Sequence, residues 1–524
     1  MTNSLRLPDW LDNPIFVKHL RSRLRAQPLG AAMVVVLVLC ICIAWGGYQL
    51  DAYHNGGAFG ALLALQAVIL IVMGASQVGS SVGAARASGI LDFHRVSPLT
   101  PGELTVGFFF GAPIREYVLF ACTLPFAALC LAFGTPSVHG FIELMILLFA
   151  SAWVFQGMAL LNALLGKPRN NNSRMVVGVL FFVIFFGGPL AAGASRASAL
   201  ADTGARLQFY GISLPWLAVV LLPISAALYF IYLAARRSMS SERIHPLSKP
   251  QSIFALATAA VLAVGIIWQQ EEYAVLEVGL LYLLVIMAII FILMVTPSRA
   301  EYEKGLWRAR KAARAHLPWW DDLALNRVFL VTICAIVLVS ATIASNGAGE
   351  PSAQRPEWSR LSGSFPLAIA MGVLVVAYFG LAHQFFALRF GGRSKIFLGL
   401  FLFLVWLLPL VAGMIVAMAG MSPDSNAEKW TAILFSLSPV AGIGAISAVG
   451  RSEPYSMAAG AAAITPALLF TFVFNSLLVA VRRRIFRRFL AAATAAGKSV
   501  ASVPSVIPVG DSAPVDVKAE LDSV

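Results

Sequence analysis

"LGAAMVVVLVLCICIAWGGYQ", residues 29–49, carries no charged side chain. A helix rising 1.5 Å per residue needs about 20 such residues to cross ~30 Å of hydrocarbon. At that depth no water serves the backbone, so a self-bonded helix is the form this stretch takes. It follows a basic stretch and does not open the chain, so it reads as a retained span, not a cleaved signal. Eleven more segments are apolar over a similar length, with any charge confined to their ends: 57–84, 111–134, 140–165, 175–195, 212–234, 252–269, 275–296, 326–345, 365–388, 396–420 and 457–480. The 524 residues are 59% hydrophobic and 12% charged, against about 25% charged in a soluble protein. The fold class expected is an all-α polytopic membrane protein with about twelve transmembrane helices.

The distribution of charge orients the map. With the N-terminus inside, only Arg196, Arg206, Arg355, Arg360, Lys429 and Arg451 fall on the outer side; the other 32 of 38 Lys and Arg fall on the inner side. That asymmetry is the positive-inside pattern. It accounts for the net charge of +13 and removes the case for nucleic acid as a partner. Both termini are expected in the cytoplasm, with the chain multi-pass in a plasma (inner) membrane. The stretch "TAILFSLSPVAGIGAISAVG" (431–450) is apolar too. If it crossed, "RRRIFRR" (482–488) would lie outside, so it reads as a re-entrant outer segment broken near Ser438-Pro439. Such a segment needs protein or a wet cavity around its backbone. Trp45, Trp216, Trp268 and Trp430 fall at outer span ends, and Trp10, Trp307, Trp319 and Trp320 at inner ends, as interface belts do.

Four regions follow: an amphipathic basic arm over 1–28, six-helix units over 29–235 and 251–488, and a small-residue, proline-broken tail over 489–524 that is expected to be disordered. In the arm, Asn13 can cap a helix with Pro14 at its first position. Phe16, Leu20 and Leu24 then share one face, and Lys18, Arg21 and Arg25 the opposite one. Arg23 falls near the apolar side and must snorkel. The reading is a basic interfacial helix on the inner leaflet, ended by Pro28, with the bilayer as its partner. The second span ends with Ala75, Gly79, Gly83 and Ala87 every four residues, a ridge that lets another helix approach closely.

Between the second and third spans lies "LDFHRVSPLTPGEL" (91–104). Residues 89–96 can make a short helix that Ser97-Pro98 stops. Thr100, Pro101 and Glu103 then form a capping box with a first-turn proline. The result is a rigid inner knob leading into a new membrane helix.

Arm and knob together resemble the ABC-2-type permease family, the membrane subunits of ATP-driven exporters. Members commonly open with an NP…K-E-L-R arm, and residues 13–25 read NPIFVKHLRSRLR. After the second span they carry G-T-L-E…SPLS…E…G-K. Here Gly89-Ile90-Leu91-Asp92, Ser97-Pro98-Leu99-Thr100, Glu103 and Gly107 match, while Ala87 and Ser88 stand where acids are usual and Phe108 where lysine is. The resemblance implies that 89–100 is a coupling helix docking on a separate ATP-binding cassette subunit, through Leu91, Asp92, Phe93, His94, Arg95 and Pro98. Phe93 would be the buried anchor of that contact. A second permease or a second copy of the chain is a further partner of this kind. The corresponding inner loop of the second unit, 297–325, is a basic helix without the motif.

Other chemistry is not legible. Gly497-Lys498-Ser499 lacks the glycine five residues earlier, at Ala492, that a phosphate-binding loop needs, so ATP hydrolysis is expected on another chain. Cys40, Cys42, Cys122, Cys130 and Cys334 lie in spans without metal-ligand spacing, and no catalytic, cofactor or metal constellation is found. Glu143 and Glu277 lie near outer span ends, and Arg115 and Glu116 near an inner one, within reach of the interface. Buried carboxylates of the kind that couple secondary carriers are therefore not expected. Gln66, Gln156, Asn162, His383, Gln384 and Asn475 remain as mid-span polars, mostly for helix-to-helix hydrogen bonds. Two alternatives stay open: a secondary active transporter, and a non-transporting membrane scaffold or sensor.

Overall fold

A computed structural model describes residues 13–49, 57–132, 137–166, 206–241, 245–268, 273–312, 314, 317–347, 365–419, 433–435, 437–439, 442–443 and 453–501. The chain is an all-α polytopic membrane protein. Ten helical segments among the described residues are long and apolar enough to cross a bilayer. One of these, Pro366–Val416, holds two expected spans, 365–388 and 396–420; a tight turn at Gly391–Arg393 separates them. The expected span at 175–195 lies outside the described residues. The helices form two compact units, Met1–Leu247 and Ser248–Val524.

In the first unit α1 (Pro14–Arg23) and α2 (Ala26–Gln49) are followed by α3 (Gly57–Ala67), which passes through a wide turn at Val68–Met73 into α4 (Gly74–Ala87). Next come α5 (Ile90–Val96), α6 (Pro101–Gly111), α7 (Ile114–Ala132) and α8 (Val138–Leu165). Strands β1 (Arg206–Phe209) and β2 (Ile212–Pro215) pair antiparallel, and α9 (Trp216–Ser240) closes the unit. The hairpin was not expected. Its turn puts Tyr210 and Gly211 at φ 50° and 76°, the left-handed pair that a two-residue hairpin uses, so the span begins at Trp216 instead of 212. Trp216 itself is buried, and its indole donates to Glu143 Oε2 at 2.7 Å, so it ties α9 to α8. Val34, Val35, Val38 and Ile41 on α2 are exposed, which costs nothing where the solvent is hydrocarbon.

In the second unit α10 (Lys249–Ile267), α11 (Tyr273–Val295), α12 (Arg299–Lys311), α13 (Arg327–Gly347) and α14 (Phe365–Phe390) precede α15 (Ser394–Leu402), α16 (Leu408–Ala419) and α17 (Glu453–Ala501). Ser248 with Gln251 and Ser298 with Glu301 form capping boxes that start α10 and α12. Lys249 is fully buried, and its ammonium donates to Asp321 O at 2.8 Å and to Ala324 O. On α17 Ile485 and Phe486 pack with Tyr302 and Leu306 of α12 and with Leu388 and Leu478. The helix runs on to Ala501, so the tail expected to be disordered from 489 is helical over 489–501, and 502–524 lie outside the described residues.

Of the expected re-entrant stretch, only short pieces are described. Helical turns at 433–435 and 442–443 flank a bend at Ser438, whose hydroxyl donates to Trp406 O at 2.6 Å. The rest of 431–450 lies outside the described residues.

Candidate functional site

One end of the first unit gathers the arm, the knob and the ends of α8 and α9. The arm is seated on protein as well as beside lipid. Asn13 Oδ1 accepts from the N–H groups of Ile15 at 3.0 Å and Phe16 at 3.4 Å, capping α1. Its amide nitrogen donates to Glu103 O at 2.6 Å. Glu103 in turn caps α6: its carboxylate accepts from Thr100 N–H at 2.8 Å, and Thr100 Oγ1 accepts from Glu103 N–H at 3.2 Å. One amide side chain thus caps its own helix and holds the first turn of another.

α1 lies across Gly107 and Gly111 of α6. A Cβ on Gly107 would fall 2.9 Å from both Asn13 Oδ1 and Ile15 Cβ, and one on Gly111 would fall 3.2 Å from the Phe16 Cα. The buried face of α1 is therefore Ile15, with Phe16, His19 and Arg23 half-buried beside it. Phe16, Leu20 and Leu24, expected to share the apolar face, are all half-buried. Lys18, Arg21 and Arg25 are exposed as expected, and so is Pro14. Arg23 does not snorkel; it donates to Ser81 Oγ at 2.8 Å. The arm breaks at Leu24-Arg25, and Pro28 lies inside the next helix, where the first turn has no use for its missing N–H. The His19 ring meets Phe108 edge-on at 5.4 Å. Burial, then the charges of Arg23 and Lys18, push its pKa down to about 4.

The knob is bolted from below by two arginines. Helix C-termini leave carbonyls without intrahelical donors. Arg86, in the last turn of α4, donates to Ala163 O at 3.3 Å and to Gly166 O, at the end of α8. Arg95 donates to Met239 O at 3.0 Å and Ser238 O at 3.2 Å, in the last turn of α9, and to Asp92 Oδ1 at 2.6 Å. Each positive charge also meets the negative end of a helix dipole. Gly89, at φ 73°, makes the left-handed break between α4 and α5, a conformation that side chains other than glycine rarely adopt.

These ties divide the expected coupling residues. Leu91 is buried, Arg95 is spent on α9, and His94 is half-buried; burial and the Lys18 charge lower the His94 pKa. Asp92, Phe93 and Pro98 face outward. Phe93 is 69% exposed, and Val96, which sequence reasoning missed, is 83% exposed. With Ile90 they repeat every third residue along one side of α5, a signal that was present in the sequence.

The interior of the unit holds a buried carboxylate that was expected to reach the interface. Glu116 is fully buried, its Oε1 pairs with Arg115 at 2.8 Å, and its Oε2 has no hydrogen-bond partner among the described residues. The adjacent Tyr117 hydroxyl donates to Gln156 Oε1 at 3.0 Å, and Gln156 donates to Leu70 O at 3.1 Å. Gln66 donates to Thr123 Oγ1 at 2.9 Å. Those two glutamines serve as helix-to-helix ties, as expected; in the second unit Gln384 is fully buried and, among the described residues, has no hydrogen-bond partner, nor does His383 Nδ1. Between α8 and α9 runs an apolar groove with a cavity of about 520 Å³ against Phe149, Trp153 and Leu228. A second cavity of about 210 Å³ shares Trp153 and Leu228 and reaches Tyr232 and Thr105. Among the described residues no cluster of His, Cys, Asp and Glu could hold a metal ion.

No family model, no curated protein and no solved structure matches the chain.

Proposed function

We propose that the chain is the membrane subunit of an ATP-driven exporter, coupled to a separate ATP-binding cassette subunit through α5. One observation carries the reading: α5 turns an apolar stripe outward while Arg95 fixes it to α9, and the adjoining α4 is fixed to α8 through Arg86. An aromatic side chain held rigid and exposed on a short helix is the kind of anchor that dominates protein–protein contacts. Force on Phe93 and Val96 passes through Arg95 to the end of α9, and through α4 and Arg86 to the end of α8. The groove between those two helices is the place where such a displacement would act on an apolar substrate. The basic side chains Lys18, Arg21, Arg86 and Arg236 at this end of the unit favour placing it in the cytoplasm, where ATP is. The sequence resemblance at 13–25 and 89–107 points the same way.

The test is whether a separate P-loop ATPase co-purifies with this chain from its native membrane. Phe93→Ser with Val96→Ser should abolish co-purification and leave the permease folded in the membrane. Full retention, with undiminished ATP-dependent transport, would overturn the proposal. A second reading, a secondary carrier, has one observation in its favour: buried Glu116 with a free oxygen. Transport driven by an ion gradient without any ATPase, and lost in Glu116→Gln, would establish that reading instead.

A further inference from the structure

In the second unit α17 presents five arginines over 482–488, and they do not point alike. Ile485, Phe486 and Phe489 form the inward face against α12, with Phe489 packed on Trp307 at 4.9 Å. Positions three, four and seven residues apart share a helix face, so Arg482 turns inward with them. Arg483, Arg484, Arg487 and Arg488 are exposed. Arg482 enters a cavity of about 160 Å³ that Tyr302, Trp319, Val328 and Arg327 also line. Both side chains line this one cavity, Arg327 exposed and Arg482 half-buried. Among the described residues neither is in a hydrogen bond or ion pair, and Arg482 Nε is buried without an acceptor. Arg327 and Val328 also open α13, where the first N–H groups have no intrahelical acceptor.

Two cations and a helix N-terminus around one cavity, with no carboxylate among its lining residues, form an unbalanced arrangement. A buried donor left unpaired costs on the order of 1–3 kcal/mol. A phosphate group would remove that penalty at Arg482 Nε and neutralise Arg327, which is itself exposed, since its oxygens accept from guanidinium forks and from helix N-terminal amides together. We infer that the cavity between α12, α13 and α17 binds the phosphate of an anionic amphiphile, with Arg327 and Arg482 as its ligands. The position favours a lipid as the source. Arg327 begins a span, and Trp307 and Trp320 on the neighbouring segments are 41% and 56% exposed, as side chains at headgroup level are.

The experiment uses the full chain in detergent with short-chain phosphatidylglycerol, phosphatidylcholine or inorganic phosphate, read by native mass spectrometry and by thermal unfolding. Phosphatidylglycerol should bind and raise Tm, and phosphatidylcholine should do so far less. Arg327→Gln with Arg482→Gln should weaken phosphatidylglycerol at least about tenfold, as loss of charge-assisted hydrogen bonds does. Arg483→Gln with Arg484→Gln removes the same charge from the exposed face and should leave binding unchanged. Should the double variant fail to fold, Arg482→Lys keeps the charge, removes the fork and should weaken binding partially. Inorganic phosphate that binds as tightly, with loss in the same variant, would support the phosphate site and assign it to a soluble ligand. Equal weakening by both double variants would overturn the site, because it would mean diffuse attraction. Undiminished binding in the Arg327/Arg482 variant would overturn it too. So would a lower Tm after removal of 502–524 together with no lipid dependence, because the acidic tail would then be the occupant.

Discussion

The seat of α1 on α6 can be tested with one methyl group. Gly107→Ala would place a Cβ 2.9 Å from Asn13 Oδ1, 2.9 Å from Ile15 Cβ and 3.1 Å from Ile15 Cγ2. None of the three can swing aside cheaply. Asn13 is held by its cap and by Glu103 O, and the Ile15 Cβ is fixed by the backbone. Overpacking of this kind costs ~1–3 kcal/mol. The arm is held by burial of Ile15, worth ~1.5–3 kcal/mol, by the Asn13 cap at about 1 kcal/mol and by one interhelical hydrogen bond at about 1 kcal/mol. The substitution therefore removes a large part of the docking free energy. Alanine's better helix propensity does not offset it, because α6 is helical whether or not the arm is docked. A ten-residue helix is marginal once undocked, so amide hydrogen exchange over 14–23 reports docking directly. Exchange there should accelerate roughly 5- to 150-fold, at tenfold per ~1.4 kcal/mol. Gly60, whose added Cβ meets nothing within 4 Å, supplies the control: Gly60→Ala should leave exchange over 14–23 unchanged. Unchanged exchange in Gly107→Ala would refute the seat and, with it, the account of why the arm and knob motifs occur together.

Three other outcomes follow from the geometry. Arg95→Ala should lower Tm, because it strips the carbonyls of Met239 and Ser238 of their donor, whereas Phe93→Ser with Val96→Ser should leave Tm nearly unchanged; thermal unfolding separates the two. His19 has a folded pKa of about 4 against an ordinary 6.5, so an undocked arm binds more protons than a docked one between those values. Docking is then fully favourable above pH 6.5 and weakens as pH falls through 4, by ~1–3 kcal/mol; exchange over 14–23, normalised to the intrinsic rate, should rise with acid in the wild type and not in His19→Phe. Lys249→Met leaves Asp321 O and Ala324 O without their buried donor and should cost ~2–4 kcal/mol, read as a lower Tm that Lys249→Arg partly restores.

The spans were legible because lipid leaves a chain little choice: an apolar run of bilayer length must close its own hydrogen bonds. The caps at Asn13, Thr100, Ser248 and Ser298 announce themselves through local chemistry; the first two were read. What sequence could not show was contact between segments far apart in the chain. Asn13 with Glu103 and Arg95 with Met239 are separated by 90 and 144 positions, and no periodicity encodes such a meeting. The seat of α1 was missed for the same reason: hydrophobicity selected Phe16, Leu20 and Leu24, which are half-buried, but could not show that Ile15, Phe16 and His19 meet the glycines of α6. The burial of Glu116 was not legible because it comes from the packing of other elements around α7 and not from its distance to the span end.

Arginines on apolar faces carry the rest of the argument. Arg23, Arg95 and Arg482 each break the pattern of their helix, and a charge held away from water must be repaid locally. Arg23 is repaid by Ser81 Oγ, and Arg95 by two carbonyls and Asp92. Both therefore hold elements together, and neither needs a ligand. Arg482 is half-buried and turns its Nε inward, towards a cavity lined by a second, exposed arginine instead of an acceptor. The chain supplies acceptors for the first two and none, among the described residues, for the third. That difference separates a structural arginine from one that waits for an anion, and it is why the second unit, which lacks the knob, still has a site to test.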